Sequence, residues 1–196
     1  MRIDLDVIQQ WIAPGSRVLD LGCGDGTLLD SLTRNKQVNG VGIEIDPDKF
    51  NRCIDRGLSV IEQDLDQGLG NFADASFDVV VMTQTLQAMH HPDRVLEEML
   101  RVGRQGIVAF PNFGHWFCRF HLGLKGRMPV SGFMPYYWYN TPNIHFCTVR
   151  DFDNLCRERQ IRILNRAMTN SVGQLTGLTG IAPNLFATTA IYHLSR

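Results

Sequence analysis

The segment Val18-Leu19-Asp20-Leu21-Gly22-Cys23-Gly24-Asp25-Gly26 constrains the fold more than any other. A short apolar run passes through three alternating glycines into a stretch with helical spacing, and residues without a Cβ let the chain turn tightly and let a ligand approach the backbone. The spacing separates possible ligands. A dinucleotide fingerprint starting at Gly22 needs glycine where the chain has Thr27, and a P-loop needs a Gly-Lys-Ser/Thr ending that is missing. A helix N-terminus favours an anion, yet Asp20 and Asp25 flank this one, so the turn suits a ligand with a cationic end.

S-adenosylmethionine carries an ammonium and a sulfonium and no phosphate, and it meets that description. Asp20 is expected to accept from the ammonium, directly or through water, while the amides of the loop Gly22, Cys23, Gly24 and Gly26 meet the ligand carboxylate. Glu44 ends the next apolar run, close to the ~20-residue offset at which an acid accepts ribose hydroxyls, and Ile45 belongs to the same site. Asp64 ends a third run and is expected to take the adenine amino group, with Leu65 offering a backbone donor and an apolar wall. Gln84 follows the fourth run and faces the methionine end; Gln87 reads equally well as surface polarity. Asp46 reads as the cap of a helix opening at Pro47.

Val18–Leu21, Val41–Ile45, Leu58–Ile61, Val79–Met82 and Ile107–Phe110 are short, apolar and largely β-branched, as strands buried on both faces should be. Helical stretches lie between them: Gly26–Arg34, Asp48–Arg56, and a third opening at Pro92 and running through Val95, Leu96, Met99 and Leu100. A further amphipathic helix, with Ile3, Val7, Ile8 and Trp11 on one side, precedes the first strand and can cover a sheet edge. Pro111–Cys147 is rich in aromatics, Gly and Pro, has no clear period, and reads as an insertion or lid. Thr148 and Asp151 form a capping signature ahead of a helix with Phe152, Leu155 and Cys156 on one face. Ile161–Leu164 and Ala187–Leu194, separated by a Gly/Thr-rich loop, are expected to pair antiparallel at the sheet edge. The expected architecture is α/β and Rossmann-like: a mostly parallel twisted sheet with an antiparallel C-terminal edge hairpin and an aromatic insertion after the fifth strand, in one domain over residues 1–196.

The trio Asp-Leu-Gly-Cys-Gly-Asp-Gly, Gly-Ile-Glu-Ile-Asp-Pro and the Asp64 strand end resembles class I S-adenosylmethionine-dependent methyltransferases. Gln63-Asp64-Leu65-Asp66, Ser76-Phe77-Asp78-Val79, Gln84-Thr85-Leu86-Gln87-Ala88, Phe110-Pro111-Asn112-Phe113-Gly114-His115-Trp116 and Trp138-Tyr139-Asn140-Thr141-Pro142-Asn143-Ile144-His145 narrow the resemblance to the MetW family of methionine biosynthesis proteins. That resemblance implies S-adenosylmethionine as cofactor and homoserine O-acyltransferase as partner. Two roles stay open: a regulatory or assembly subunit of the acyltransferase, with the aromatic surface between Phe113 and Phe146 partly a docking patch, and a methyltransferase acting on a small molecule.

Methyl transfer asks the protein mainly to align a nucleophile with the methyl group, with a base to remove its proton where needed. His115, Tyr139 and His145, with Tyr136 and Tyr137, are the candidates, all inside the aromatic insertion. His115, Cys118 and His121 recur every third residue, but their aromatic spacers point to packing and no metal is expected. A net charge of −1 with both signs interspersed gives no positive field for nucleic acid. Five scattered cysteines without a CxxC pair suit reduced thiols, and no run approaches the ~20 apolar residues a membrane span needs, so the expected setting is the cytoplasm.

Overall fold

A computed structural model describes residues 3–170 and 177–196. Met1, Arg2 and residues 171–176, hence part of the Gly/Thr-rich loop, lie outside the described residues, as does the Ile3 side chain. The elements in chain order are α1 (Ile3–Trp11), β1 (Arg17–Leu21), α2 (Thr27–Lys36), β2 (Asn39–Glu44), α3 (Pro47–Asp55), β3 (Ser59–Glu62), β4 (Phe77–Thr83), α4 (Pro92–Val102), β5 (Gly103–Pro111), α5 (Trp116–Lys125), α6 (Val149–Glu158), β6 (Arg162–Thr169), α7 (Gly177–Ile181), α8 (Pro183–Phe186) and β7 (Thr189–Ser195).

The seven strands form one sheet in the order β3-β2-β1-β4-β5-β7-β6. β1 to β5 pair in parallel, while β7 runs antiparallel to both β5 and β6. The strand order reverses between β1 and β4, so their carboxyl ends diverge there and open a crevice. Alternation along each strand sends neighbouring residues to opposite faces. Leu19, Val80, Met82, Val108, Phe110 and Tyr192 pack on the face covered by α4 and α6. Val18, Val79, Val81, Ile107 and Ile191 pack on the other face, under α1 and α2.

The expected architecture is present, with three local corrections. Leu58–Ile61 is not a strand buried on both faces: β3 is the outermost strand, and Ser59, Ile61 and Glu62 are exposed. The C-terminal pair is the expected antiparallel pair at the sheet edge, with β7 beside β5, β6 outermost, and β6 running on to Thr169. Helix α1 covers the sheet at β7, one strand in from that edge, where Trp11 stacks on His193 with centroids 5.5 Å apart. The aromatic insertion also contains a helix, α5, whose period was hidden by apolar residues on its exposed side, Trp116, Phe120 and Leu124 among them. The Thr148 and Asp151 signature does form a reciprocal capping box at the start of α6.

Candidate functional site

The crevice between the β1 and β4 ends opens into a cleft of about 1520 Å³. Its walls come from the loops after β1 to β5, from the start of α5 and the insertion, and from the sheet ends at Thr169 and Thr189. The turn after β1 is held by Gly22 and Cys23, whose amides both donate to the Ile43 carbonyl at 2.8 and 3.0 Å. Gly24 adopts a left-handed φ of +60°, and a Cβ there would project into open space. Gly26 is also left-handed, but a Cβ there would meet Leu58 and the Cys53 sulfur, so packing against α3 dictates that glycine and it is not on the cleft wall. Cys23 contributes backbone to the turn; its Sγ lies 3.8 Å from Cys53 Sγ, and burial, with the Asp20 charge second, holds its thiol far above the ordinary range.

Asp20 and Glu44 are both buried, on neighbouring strands. Glu44 Oε1 accepts from the amides of Ile45 and Asp46 at 2.9 and 3.0 Å, and Oε2 from Gly24 at 2.8 Å, so one carboxylate ties the β2 end to the glycine turn. Asp20 is not on the cleft wall, and its Oδ1 meets no donor. Burial, with the Glu44 charge second, pushes its carboxyl up to about 7. Asp25 does not offer the free charge expected of it: Thr27 donates to it from both amide and hydroxyl, and Arg56 pairs with it at 2.9 Å.

Ile45, Asp64, Leu65 and Gln84 all reach the cleft. Asp64 lies past the end of β3 rather than in it, and caps a single 3-10 turn by accepting from the Asp66 amide at 3.0 Å. Gln84 adopts a left-handed φ of +59°. Asp46 caps α3 by accepting from the Asp48 and Lys49 amides. Gln87 is not surface polarity: it is 5% exposed, its Nε2 donates to the Gln84 carbonyl, and its own carbonyl accepts from Ile144 and His145, tethering the insertion. Sequence reasoning also missed Thr85, which packs against Gly22, and Ser131, Phe133, Thr169 and Thr188 on the cleft wall. These come from distant parts of the chain and carry no local signal.

The three proton-transfer candidates part company. His115 lies on the cleft and caps α5, its Nδ1 accepting from the Phe117 amide at 3.2 Å. That hydrogen bond leaves the proton on Nε2 of the neutral ring, and burial lowers the imidazole pKa, so His115 presents a donor rather than a base. Tyr139 is 67% exposed, stacked on Tyr137, and His145 is exposed; neither lines the cleft. Of the tyrosines, Tyr136 lines it. Among the described residues, no three His, Cys, Asp or Glu side chains converge on a point fit for a metal, and no helix is long and apolar enough to cross a membrane.

Comparison with known proteins places this geometry. The structure superimposes on an S-adenosylmethionine-dependent methyltransferase from Archaeoglobus fulgidus with a TM-score of 0.73 at 12% identity, covering 100% of this chain and 92% of that one. It also matches the complex between the Haloferax volcanii Trm112 methyltransferase activator and a putative methyltransferase with a TM-score of 0.71 at 15% identity, covering 98% and 88%. At such identities the likeness establishes the fold, that of S-adenosylmethionine-dependent methyltransferases. In sequence the chain is 37% identical over 172 residues to the bifunctional methionine biosynthesis protein MetXA/MetW of Rhodopirellula baltica, covering 83% of this chain and 28% of that protein. The chain spans between about a quarter and a half of the length of the curated relatives it matches. The model of the family described as methionine biosynthesis protein MetW matches residues 2–194, and the chain belongs to that family.

Proposed function

We propose that the chain binds S-adenosylmethionine in the cleft at the β1–β4 switch point and acts in methionine biosynthesis with homoserine O-acyltransferase as its partner. The observation that carries the cofactor half is the buried Asp20 carboxyl, whose Oδ1 has no donor of its own, on the strand that leads into an open glycine turn. A buried acceptor left unmade costs about 1–3 kcal/mol, and a positive charge in the cleft favours the ionised carboxyl that burial disfavours. In this reading Asp20 supplies negative charge toward the ligand ammonium through a poorly screened interior. Glu44, already oriented by three amides, offers its remaining lone pair to the ribose. Ile45, Leu65 and Asp64 flank the adenine, and Gln84 faces the methionine end. When bound, the cofactor supplies an electrophilic methyl group.

The partner half rests on family membership and on a relative whose name joins MetXA to MetW in one protein. Phe120, Leu124, Trp138 and Tyr139 are each more than 60% exposed along α5 and the insertion, and this apolar surface is where the partner docks. The test combines calorimetry with mixing. S-adenosylmethionine binds the parent chain, and Glu44→Ala weakens binding by about 1–3 kcal/mol by leaving ribose hydroxyls unpaired. The chain co-elutes with homoserine O-acyltransferase and changes its rate of acyl transfer. Equal cofactor affinity in parent and variant rejects the pose, and separate elution at micromolar concentrations rejects the partner. A second reading, methyl transfer to a small molecule, is favoured by the extent of the cleft beyond the strand tips, and it fails if labelled cofactor passes no methyl group to any fraction of a cell extract.

A further inference from the structure

The charged side chains of the cleft are divided sharply. Every carboxylate and ammonium on its wall, Asp25, Glu44, Asp46, Lys49 and Asp64, comes from the end of β2, the start of α3 and the loops after β1, β2 and β3. From Thr83 onward the wall among the described residues carries no carboxylate, ammonium or guanidinium. This second half is built on rings: His115 lies 5.6 Å from Trp116 and 5.4 Å from Phe133 between centroids. It also holds two polar atoms without partners. Gln87 is 95% buried by its 5% exposure, yet its Oε1 meets no donor, and the buried Ser131 hydroxyl meets none either.

We infer that this neutral half of the cleft is a separate compartment for an uncharged, planar or aromatic small molecule bearing an O–H or N–H donor, which Gln87 Oε1 accepts. The inference rests on the cofactor reading, which assigns the charged half and Gln84 to S-adenosylmethionine. An ionised group placed here would lose its hydration with no opposite charge in reach, a cost far above that of one hydrogen bond. Burial keeps His115 neutral as well. A neutral ring meets rings, and its donor meets the amide oxygen that the protein leaves unsatisfied. The Gln87 side chain also bonds the loop after β4, and its backbone carbonyl holds Ile144 and His145, so the residue that reads the occupant also ties the insertion to that loop. A zwitterionic amino acid is excluded by the same argument.

The probes are indole, N-methylindole, indoleacetate and L-homoserine, titrated into the full chain with and without saturating S-adenosylhomocysteine and followed by ligand-observed nuclear magnetic resonance. Indole binds about tenfold more tightly than N-methylindole, whose donor is blocked. Indoleacetate and L-homoserine bind at least tenfold more weakly than indole. Gln87→Leu removes the preference for indole over N-methylindole while leaving N-methylindole unchanged. Ser131→Ala, a smaller change, reduces the same preference and serves where Gln87→Leu fails to fold. The inference is overturned if indole does not bind, if either charged probe equals it, if the preference survives both substitutions, or if S-adenosylhomocysteine displaces indole. Failure of S-adenosylhomocysteine to bind, with the indole series intact, overturns the cofactor reading and leaves the neutral compartment standing.

Discussion

Asp20 and Glu44 are buried carboxylates one strand apart, and the backbone treats them differently, with three amides donating to Glu44 and none to Asp20 Oδ1. Glu44 and the Cys23 and Cys53 thiols are the titratable groups around Asp20, and none of them is cationic. The folded chain therefore holds on Asp20, up to about pH 7, a proton that the unfolded chain releases near its ordinary value of 3.8. The folded state binds more protons across that window, so the Asp20 contribution to stability is present at low pH and is lost as pH rises from about 4 through about 7. Asp20→Asn should flatten this slope and leave the variant about 2–4 kcal/mol less penalised than the parent above neutrality. Urea unfolding at acidic and mildly alkaline pH measures it; parallel pH profiles in parent and variant reject the assignment. The same substitution weakens a cationic ligand, which favours the ionised carboxyl and drives its proton off on binding.

At the scale of elements, α6 begins with the reciprocal box in which Thr148 Oγ1 accepts from the Asp151 amide at 3.2 Å while Asp151 accepts from the Thr148 amide at 3.1 Å. Thr148→Ala leaves the Asp151 amide without its acceptor and should cost about 1 kcal/mol, lowering the melting temperature by roughly 2–4 °C for a chain of this size. An unchanged melting curve would show that the box does not hold α6. This element was legible because a cap is local: donor, acceptor and the apolar face all lie within a few residues. Helix α5 and strand β6 were not equally legible. In α5, apolar residues face both the protein and the exterior, which erases the period; in β6, the outward polar residues Asn165 and Arg166 interrupt an apolar run whose backbone pairing with β7 continues.

At the scale of the molecule, one aromatic stack joins sheet to helix. Phe110 on β5 lies 4.8 Å from Phe152 on α6 and 5.9 Å from Tyr192 on β7, all three fully buried, and Tyr192 donates to Asp153 at 2.7 Å. The stack also fixes the exit of β5 into the insertion, where buried Asn112 donates to the Ala187 carbonyl and accepts from Gly114 and Val149. Phe110→Ala opens a cavity at this junction and should cost about 3–5 kcal/mol. Chemical denaturation gives the value, and a loss below about 1 kcal/mol would mean that the stack carries little of the fold. Because the insertion hangs from the same junction, the cleft wall it forms should loosen together with α6.

The residues alone determined the strand–helix alternation, the glycine turn, the acids at the strand ends and the caps of α3 and α6, because each depends on neighbours within a turn or on the period of one element. The tertiary structure decided the rest. Strand order placed β7 inside the sheet and left β3 exposed at its border, long-range contacts buried Asp20 with its Oδ1 lacking a donor while Arg56 drew Asp25 aside, and the path of the insertion sent Tyr139 outward and brought Ser131 to the cleft wall. Burial and the pairing of distant charges are properties of the packed chain, so no spacing along the sequence encodes them.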